Sequence, residues 1–285
     1  MRLFIATEAG ACFGVNRALD MVEALSSKVH GSIHTLGPLI HNPQVVEKLK
    51  HKGVDVISSS NDVRGKAVVL RAHGVTPQEE EEARRSHEIV IDATCPFVIR
   101  AHKAAETLKS EGYQVLVLGE KGHAEVLGTL GHAPGAVCIE TTKDIDALTL
   151  KKKVGLVVQT TQVEAHLAEI VRYLAPRVNE LRVFNTICEA TEKRQDAARV
   201  LSQNVDAMIV IGGKNSANTT RLAEICREYC AHTYHVETPD ELDLTAFSDD
   251  LDVGITAGAS TPQYQIDELC AYLTQFFPNA RRMGN

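Results

Sequence analysis

The sequence contains no apolar run long enough to approach a membrane span. Its first residues lack the extended apolar core of a signal peptide and carry charge early, so a cytoplasmic location is expected. Positive charge is not in excess. Thirty lysines and arginines stand against 37 aspartates and glutamates, and a net charge of −7 argues against a large nucleic-acid footprint. No segment is of low complexity. Seven cysteines in a cytosolic chain of 285 residues do not form a disulfide framework and are expected to divide between core residues and ligands. The composition that remains, 44% hydrophobic and 24% charged, is that of an ordinary globular protein, in a length suited to two compact domains or three small ones.

Two nucleotide and metal motifs are also incomplete. Gly213-Lys214-Asn215 does not end a P-loop, because Met208 occupies the first glycine position and Asn215 the Ser/Thr position. His123-Ala124-Glu125 has the H-x-E of zinc deaminases, but no P-C-x-x-C follows it.

Twelve apolar, β-branched runs bounded by turn residues predict strands near 3–6, 32–36, 54–57, 68–71, 89–93, 114–118, 136–140, 154–159, 182–186, 207–211, 234–237 and 253–257. Runs such as Val154-Gly155-Leu156-Val157-Val158 are apolar throughout, as in parallel strands buried on both faces. Helix starts are marked by Asn42-Pro43, Thr76-Pro77-Gln78-Glu79, Cys95-Pro96 and Thr261-Pro262. The charged stretch 79–85 reads as the solvated face of a short helix, and the tail 279–285 as frayed.

Cys12, Cys95 and Cys188 each stand where a strand pattern hands over to a helix, at intervals of 83 and 93 residues. Near-equal spacing of equivalent junctions suggests three similar α/β domains with mainly parallel sheets: 13–95, 96–187 and 188–281, the last completed by the N-terminal strand in 1–12. Helix N-termini favour thiolates, so an anionic metal–sulfur centre is expected there. Three thiolates suit a [4Fe–4S] cluster with one open iron able to act as a Lewis acid. Cys138 in an apolar strand and Cys270 in a helical pattern read as core. Cys226 and Cys230, with His232 and His235 following, do not have a standard zinc spacing and read as buried residues.

Small polar residues and histidines gather at the predicted carboxyl ends of strands, the edge where parallel α/β sheets bind ligands. Several helix N-termini there suit a phosphate or diphosphate. His41, His73 and His123 occupy equivalent loop positions, whereas the other nine histidines, among them His51 and His87, read as surface residues. Taken singly, Ser216, Asn218 and Ser260 are ordinary caps or turn formers. Glu125 at a helix start either complements the helix dipole or, two residues after His123, serves as a general acid.

The chain resembles the 4-hydroxy-3-methylbut-2-enyl diphosphate reductases, iron–sulfur enzymes that end the non-mevalonate isoprenoid pathway. The matching stretches, in order, begin with Ala11-Cys12-Phe13-Gly14-Val15, Leu39-Ile40-His41-Asn42-Pro43, Arg71-Ala72-His73-Gly74-Val75 and Asp92-Ala93-Thr94-Cys95-Pro96. They continue through Gly122-His123-Ala124-Glu125, Gln159-Thr160-Thr161, Thr186-Ile187-Cys188, Lys214-Asn215-Ser216 and Ala257-Gly258-Ala259-Ser260. The resemblance implies a trefoil of three α/β domains around a central [4Fe–4S] cluster held by Cys12, Cys95 and Cys188. It implies that His41, His73, His123, Ser216, Asn218 and Ser260 hold the diphosphate, that Glu125 is the proton source, and that Thr160 lies at the substrate hydroxyl. Ferredoxin or flavodoxin would supply two electrons. Anions in a closed site are then expected to raise the Glu125 pKa against the pull of the helix N-terminus. Two positions depart from the family pattern: Ala124 stands where proline is usual, and Ala217 where a second serine is usual. Two competing classes are a quinolinate-synthase-like three-cysteine dehydratase, which needs no net electrons, and an iron–sulfur sensor of a phosphorylated metabolite, which needs no proton donor.

Overall fold

The structure, a computed structural model, describes residues 1–60 and 65–283. The chain begins with β1 (Arg2–Ile5) and α1 (Phe13–Ser26), then continues through β2 (Ile33–Leu36), α2 (Pro43–His51), β3 (Val54–Ile57), β4 (Gly65–Leu70), α3 (Pro77–Ser86) and β5 (His87–Asp92). The next stretch holds α4 (Pro96–Ser110), β6 (Gln114–Leu118), α5 (Ala124–His132), β7 (Val137–Ile139), α6 (Thr142–Asp146), β8 (Lys153–Val158), α7 (Glu164–Leu174) and β9 (Glu180–Phe184). The last holds α8 (Glu189–Ser202), β10 (Ala207–Ile211), α9 (Ala217–Tyr229), β11 (Thr233–Val236), β12 (Asp252–Ala257), α10 (Gln263–Phe276) and β13 (Arg281–Arg282). All twelve predicted strands are present, with ends displaced by a few residues.

These strands form three sheets in which every pairing is parallel, ordered β3-β2-β4-β5, β7-β6-β8-β9 and β11-β10-β12-β1-β13. The same order, second-first-third-fourth, recurs in each, with β1 in the fourth place of the last sheet. Parallel pairing demands crossovers and places helices on the sheet faces, so the central strands are apolar on both sides. In β8 the five residues Val154–Val158 are buried. A Cβ on Gly155 would lie 2.6 Å from the Leu108 methyls, so the absent side chain lets α4 seat on this strand.

The chain divides into two compact units. One comprises Met1–Val15, His41–Gln44 and Glu189–Asn285, and the other Asn16–Ile40 and Val45–Cys188. The first has its core between β1, β10 and β12 and helix α10, with Leu3, Ile209, Val253, Ile255 and Leu269 fully enclosed. The second has cores on both faces of the β6–β8 sheet and one against the β2–β4 sheet.

Three local expectations change. The tail is not frayed at Arg281–Arg282, which pair with β1 while Arg282 Nη1 donates to Asp267 at 3.2 Å; residues 284 and 285 lie outside the described residues. Thr261 does not cap α10. The helix begins at Gln263, and the buried Thr261 hydroxyl instead donates to the Ile211 carbonyl of the adjacent strand at 3.2 Å. Among the histidines read as surface residues, His34, His87 and His102 are buried. His51 is exposed, as expected. At α3 the predicted capping box is present: the Glu79 N–H donates to Thr76 Oγ1 at 3.1 Å and the Thr76 N–H to Glu79 Oε2 at 2.7 Å.

Candidate active site

Cys12, Cys95 and Cys188 stand one residue before α1, α4 and α8. Each backbone N–H is tied to a strand-end carbonyl: Cys12 to Ala259 (3.0 Å), Cys95 to Ala72 (2.9 Å) and Cys188 to Thr160 (3.0 Å). Cys95 is the N-cap of α4, with extended backbone, Pro96 at the first helical position and no side-chain cap bond. All three are half-buried and in no disulfide. The remaining cysteines differ. Burial pushes the Cys138 thiol up to about 11 and the Cys226 thiol up to about 12, and raises that of Cys270. Cys226 and Cys230 sit in the apolar core against Met208 and Leu222, and no three metal-ligating side chains among the described residues form a site for a single ion. The three junction cysteines are of the residue type a thiolate-held cluster uses, whereas Cys138 lies in β7, Cys226 and Cys230 in an apolar core, and Cys270 packs beside another.

The second unit holds the acid. His123 caps α5, its Nδ1 accepting from the Glu125 N–H at 3.2 Å. This bond fixes a helix start that Ala124 leaves without proline's preset φ. Glu125 is 2% exposed. Its two carboxylate oxygens accept from one residue: Oε1 from the Thr160 N–H at 2.7 Å, Oε2 from the Thr160 hydroxyl at 2.8 Å. Burial lifts its pKa to about 7, against the lowering effect of the Thr160 backbone and hydroxyl bonds, with the Glu120 charge adding slightly. The main cause of this upward shift is desolvation. The Thr160 carbonyl in turn accepts from Cys188 N–H, so one residue links the acid to a junction cysteine. Gln159 braces this loop, accepting from Glu120 N–H at 2.8 Å and donating to Thr161 Oγ1 at 3.0 Å. The His73 and His123 rings meet edge to face with centroids 5.8 Å apart.

In the first unit, the loops after β2, β10 and β12 converge. The Ser260 hydroxyl donates to the His41 carbonyl at 2.9 Å and lies 3.5 Å from Ser216 Oγ. The Asn42 amide donates to the Ser260 carbonyl at 3.0 Å and to Gln265 at 2.8 Å. Ser216 caps α9, its oxygen accepting from the Thr219 N–H. Asn218, on the first turn of α9, is buried, with neither Nδ2 nor Oδ1 bonded among the described residues. A buried amide with both ends unsatisfied costs free energy unless a ligand completes it, and at a helix N-terminus an anion is the natural one.

Spacing does not reveal Arg194. Its buried guanidinium donates to the Gly10 carbonyl at 2.8 Å, bracing the loop that ends at Cys12. A lone arginine on an amphipathic helix carries no sequence signal for such a contact, which only the fold creates.

Parallel sheets whose carboxyl edges carry junction thiols, clustered imidazoles and hydroxyls, and a buried acid poised near neutrality define an α/β enzyme. The chain belongs to the LytB protein family, which matches residues 3–274. It is 46% identical over 277 residues to the 4-hydroxy-3-methylbut-2-enyl diphosphate reductase of Geobacter sulfurreducens, covering 97% of this chain and 98% of that one. It is 45% identical to the protein of the same name from Aquifex aeolicus over 94% of each chain. A solved structure of (E)-4-hydroxy-3-methyl-but-2-enyl diphosphate reductase, described as the terminal enzyme of the non-mevalonate pathway, is 43% identical, with a TM-score of 0.72 over 96% of this chain and 99% of that one. That of the Plasmodium falciparum E-1-hydroxy-2-methyl-but-2-enyl-4-diphosphate reductase is 29% identical, with a TM-score of 0.91 over 100% of this chain and 92% of that one.

Proposed function

We propose that the chain reduces 4-hydroxy-3-methylbut-2-enyl diphosphate to isopentenyl and dimethylallyl diphosphates, the last step of the non-mevalonate pathway. The observation that carries the chemistry is the buried Glu125 carboxyl on Thr160, with a pKa near 7. Near-full-length identity to proteins named for this reaction supports the substrate. The reaction consumes two electrons and two protons, breaks the allylic C–O bond and releases water.

Cys12, Cys95 and Cys188 are the proposed ligands of one [4Fe–4S] cluster, which when bound supplies electrons singly and an open iron as a Lewis acid. Glu125 holds the proton that the departing hydroxyl needs, since hydroxide is a poor leaving group. Thr160 orients that carboxyl through both its N–H and its hydroxyl, and its place beside the acid suits it to meet the substrate hydroxyl. His41, His73, His123, Ser216, Asn218 and Ser260 are the proposed diphosphate contacts, helped by helix N-termini. Anchoring the diphosphate presents the far end of the substrate in one orientation. Ferredoxin or flavodoxin is the proposed electron donor. We read the three sheets as three domains, 13–95, 96–187 and 188–281 with 1–12, on the strength of their shared strand order. A cytoplasmic location accords with the absence, among the described residues, of any helix long and apolar enough to cross a membrane.

The test is anaerobic turnover with a reduced viologen dye, counting electrons and products. Two electrons per product supports the reading. Conversion without electron uptake would make the chain a dehydratase, and substrate binding without conversion would make it a sensor.

A further inference from the structure

His102 lies on α4, seven residues after Cys95, and is 6% exposed. Three parts of the second unit close on its imidazole. Gly74, which follows His73, has φ +77, and a Cβ there would come within 2.6 Å of His102 Cε1. Gly128 of α5 approaches the same Cε1–Nε2 edge: a Cβ there would lie 3.2 Å from His102 Nε2 and 3.6 Å from the Gly74 carbonyl carbon. The His132 ring at the end of α5 stacks on it, with centroids 4.1 Å apart and planes 22° off parallel. Among the described residues nothing bonds to His102 Nε2, so packing holds that edge of the ring. Burial, with the His132 ring adding to it, lowers its pKa to about 3, and Asp92 opposes the shift only weakly. The ring is therefore uncharged at working pH, although Glu80, Asp92, Lys103 and Glu106 line the 180 Å³ cavity beside it.

One ring thus touches the loop that carries His73 and the helix that carries Glu125 at its start. We propose that His102 is a positioning residue: a flat wedge under the junction of the His73–Gly74 loop and α5, against whose Cε1–Nε2 edge both rest, and which so holds Glu125 on Thr160. A side chain at Gly74 would collide with the ring, and one at Gly128 would crowd it. This inference rests on the proposed role of Glu125. A misplacement of the order of an ångström at a reacting group costs up to about a hundredfold in rate. A shift of α5 would also change the burial of Glu125 that raises its pKa.

The experiment compares His102→Ala, His102→Gln and Gly128→Ala with the wild type as anaerobically purified holoenzymes. The readouts are kcat per cluster and the infrared titration midpoint of the Glu125 carboxyl, identified by its loss in Glu125→Gln. His102→Ala is expected to lower kcat per cluster about tenfold and to move the midpoint below the wild-type value. His102→Gln, which keeps a planar end group, is expected to recover most of both. A His102→Ala enzyme that merely melts lower, with kcat per cluster and midpoint unchanged, overturns the proposal. If that variant does not fold, Gly128→Ala tests the same packing from α5, and an unchanged midpoint and rate there overturns it equally. Absence of turnover in the wild type would sink the reductase reading instead, while the infrared midpoint would still test the wedge.

Discussion

Thr160 donates both its N–H and its hydroxyl to the two oxygens of Glu125, at 2.7 and 2.8 Å. Two donors stabilise a carboxylate, yet this one titrates near pH 7 because burial outweighs them. The site therefore contains an acid that is both fixed in direction and protonated in a useful fraction of molecules at neutral pH. Removing the hydroxyl alone separates these effects. Thr160→Val keeps the shape and the backbone donor but deletes one bond that lowers the pKa. The pH at which the rate falls, read from a kcat profile, should move upward.

The same burial costs stability. The folded pKa of about 7 exceeds the unfolded value of 4.5, so between these pH values the native state holds a proton that the unfolded chain has lost. Stability from this group is present below pH 4.5 and declines as pH rises through 7, by about 3 kcal/mol in all at about 1.4 kcal/mol per pH unit. Glu125→Gln removes that slope. The stability of the variant relative to wild type, measured by denaturant unfolding across pH 4.5 to 8, should increase with pH.

Asn218 presents a similar trade. Its buried amide has no partner at either end among the described residues. Asn218→Ala should stabilise the ligand-free protein by about 1 kcal/mol or more, by removing an unsatisfied polar group. It should also raise KM for the diphosphate substrate about tenfold, as loss of a hydrogen bond to a charged group implies. A melt and a saturation curve read both.

The cysteines sort into two classes with separate outcomes. Cys12→Ser, Cys95→Ser and Cys188→Ser should each lose the iron and the brown colour of the anaerobic protein, for which about four irons per chain are expected. Cys138→Ser should keep both, because that thiol lies in β7 and donates to the Gly119 carbonyl. Iron and sulfide analysis reads the difference.

Much of this arrangement is written locally. Apolar, β-branched runs mark every strand of the three four-stranded sets, most plainly central ones such as β8 and β10, which are buried on both faces. The junction cysteines stand out for the same reason, each falling where that pattern stops. Strand order is not legible, since register joins segments dozens of residues apart. Burial of single polar residues is hidden too: His102 sits in a helical pattern that looks half-solvated, and the fold brings Gly74, Gly128 and the His132 ring against it. The roles of His41, Ser216 and Asn218 came from resemblance, because each residue alone is an ordinary loop or cap residue. The structure adds that the Ser260 hydroxyl joins the first and second of them.

The most direct test of Glu125 as proton source is the turnover rate of Glu125→Gln with a full cluster and reductant in excess. The amide keeps the size and polarity of the side chain but delivers no proton. The account predicts retained iron and substrate binding with a rate at least about a hundredfold below wild type, the lower range for general-acid catalysis. Turnover near the wild-type rate, at full cluster content, would mean that the proton comes from elsewhere and would contradict it.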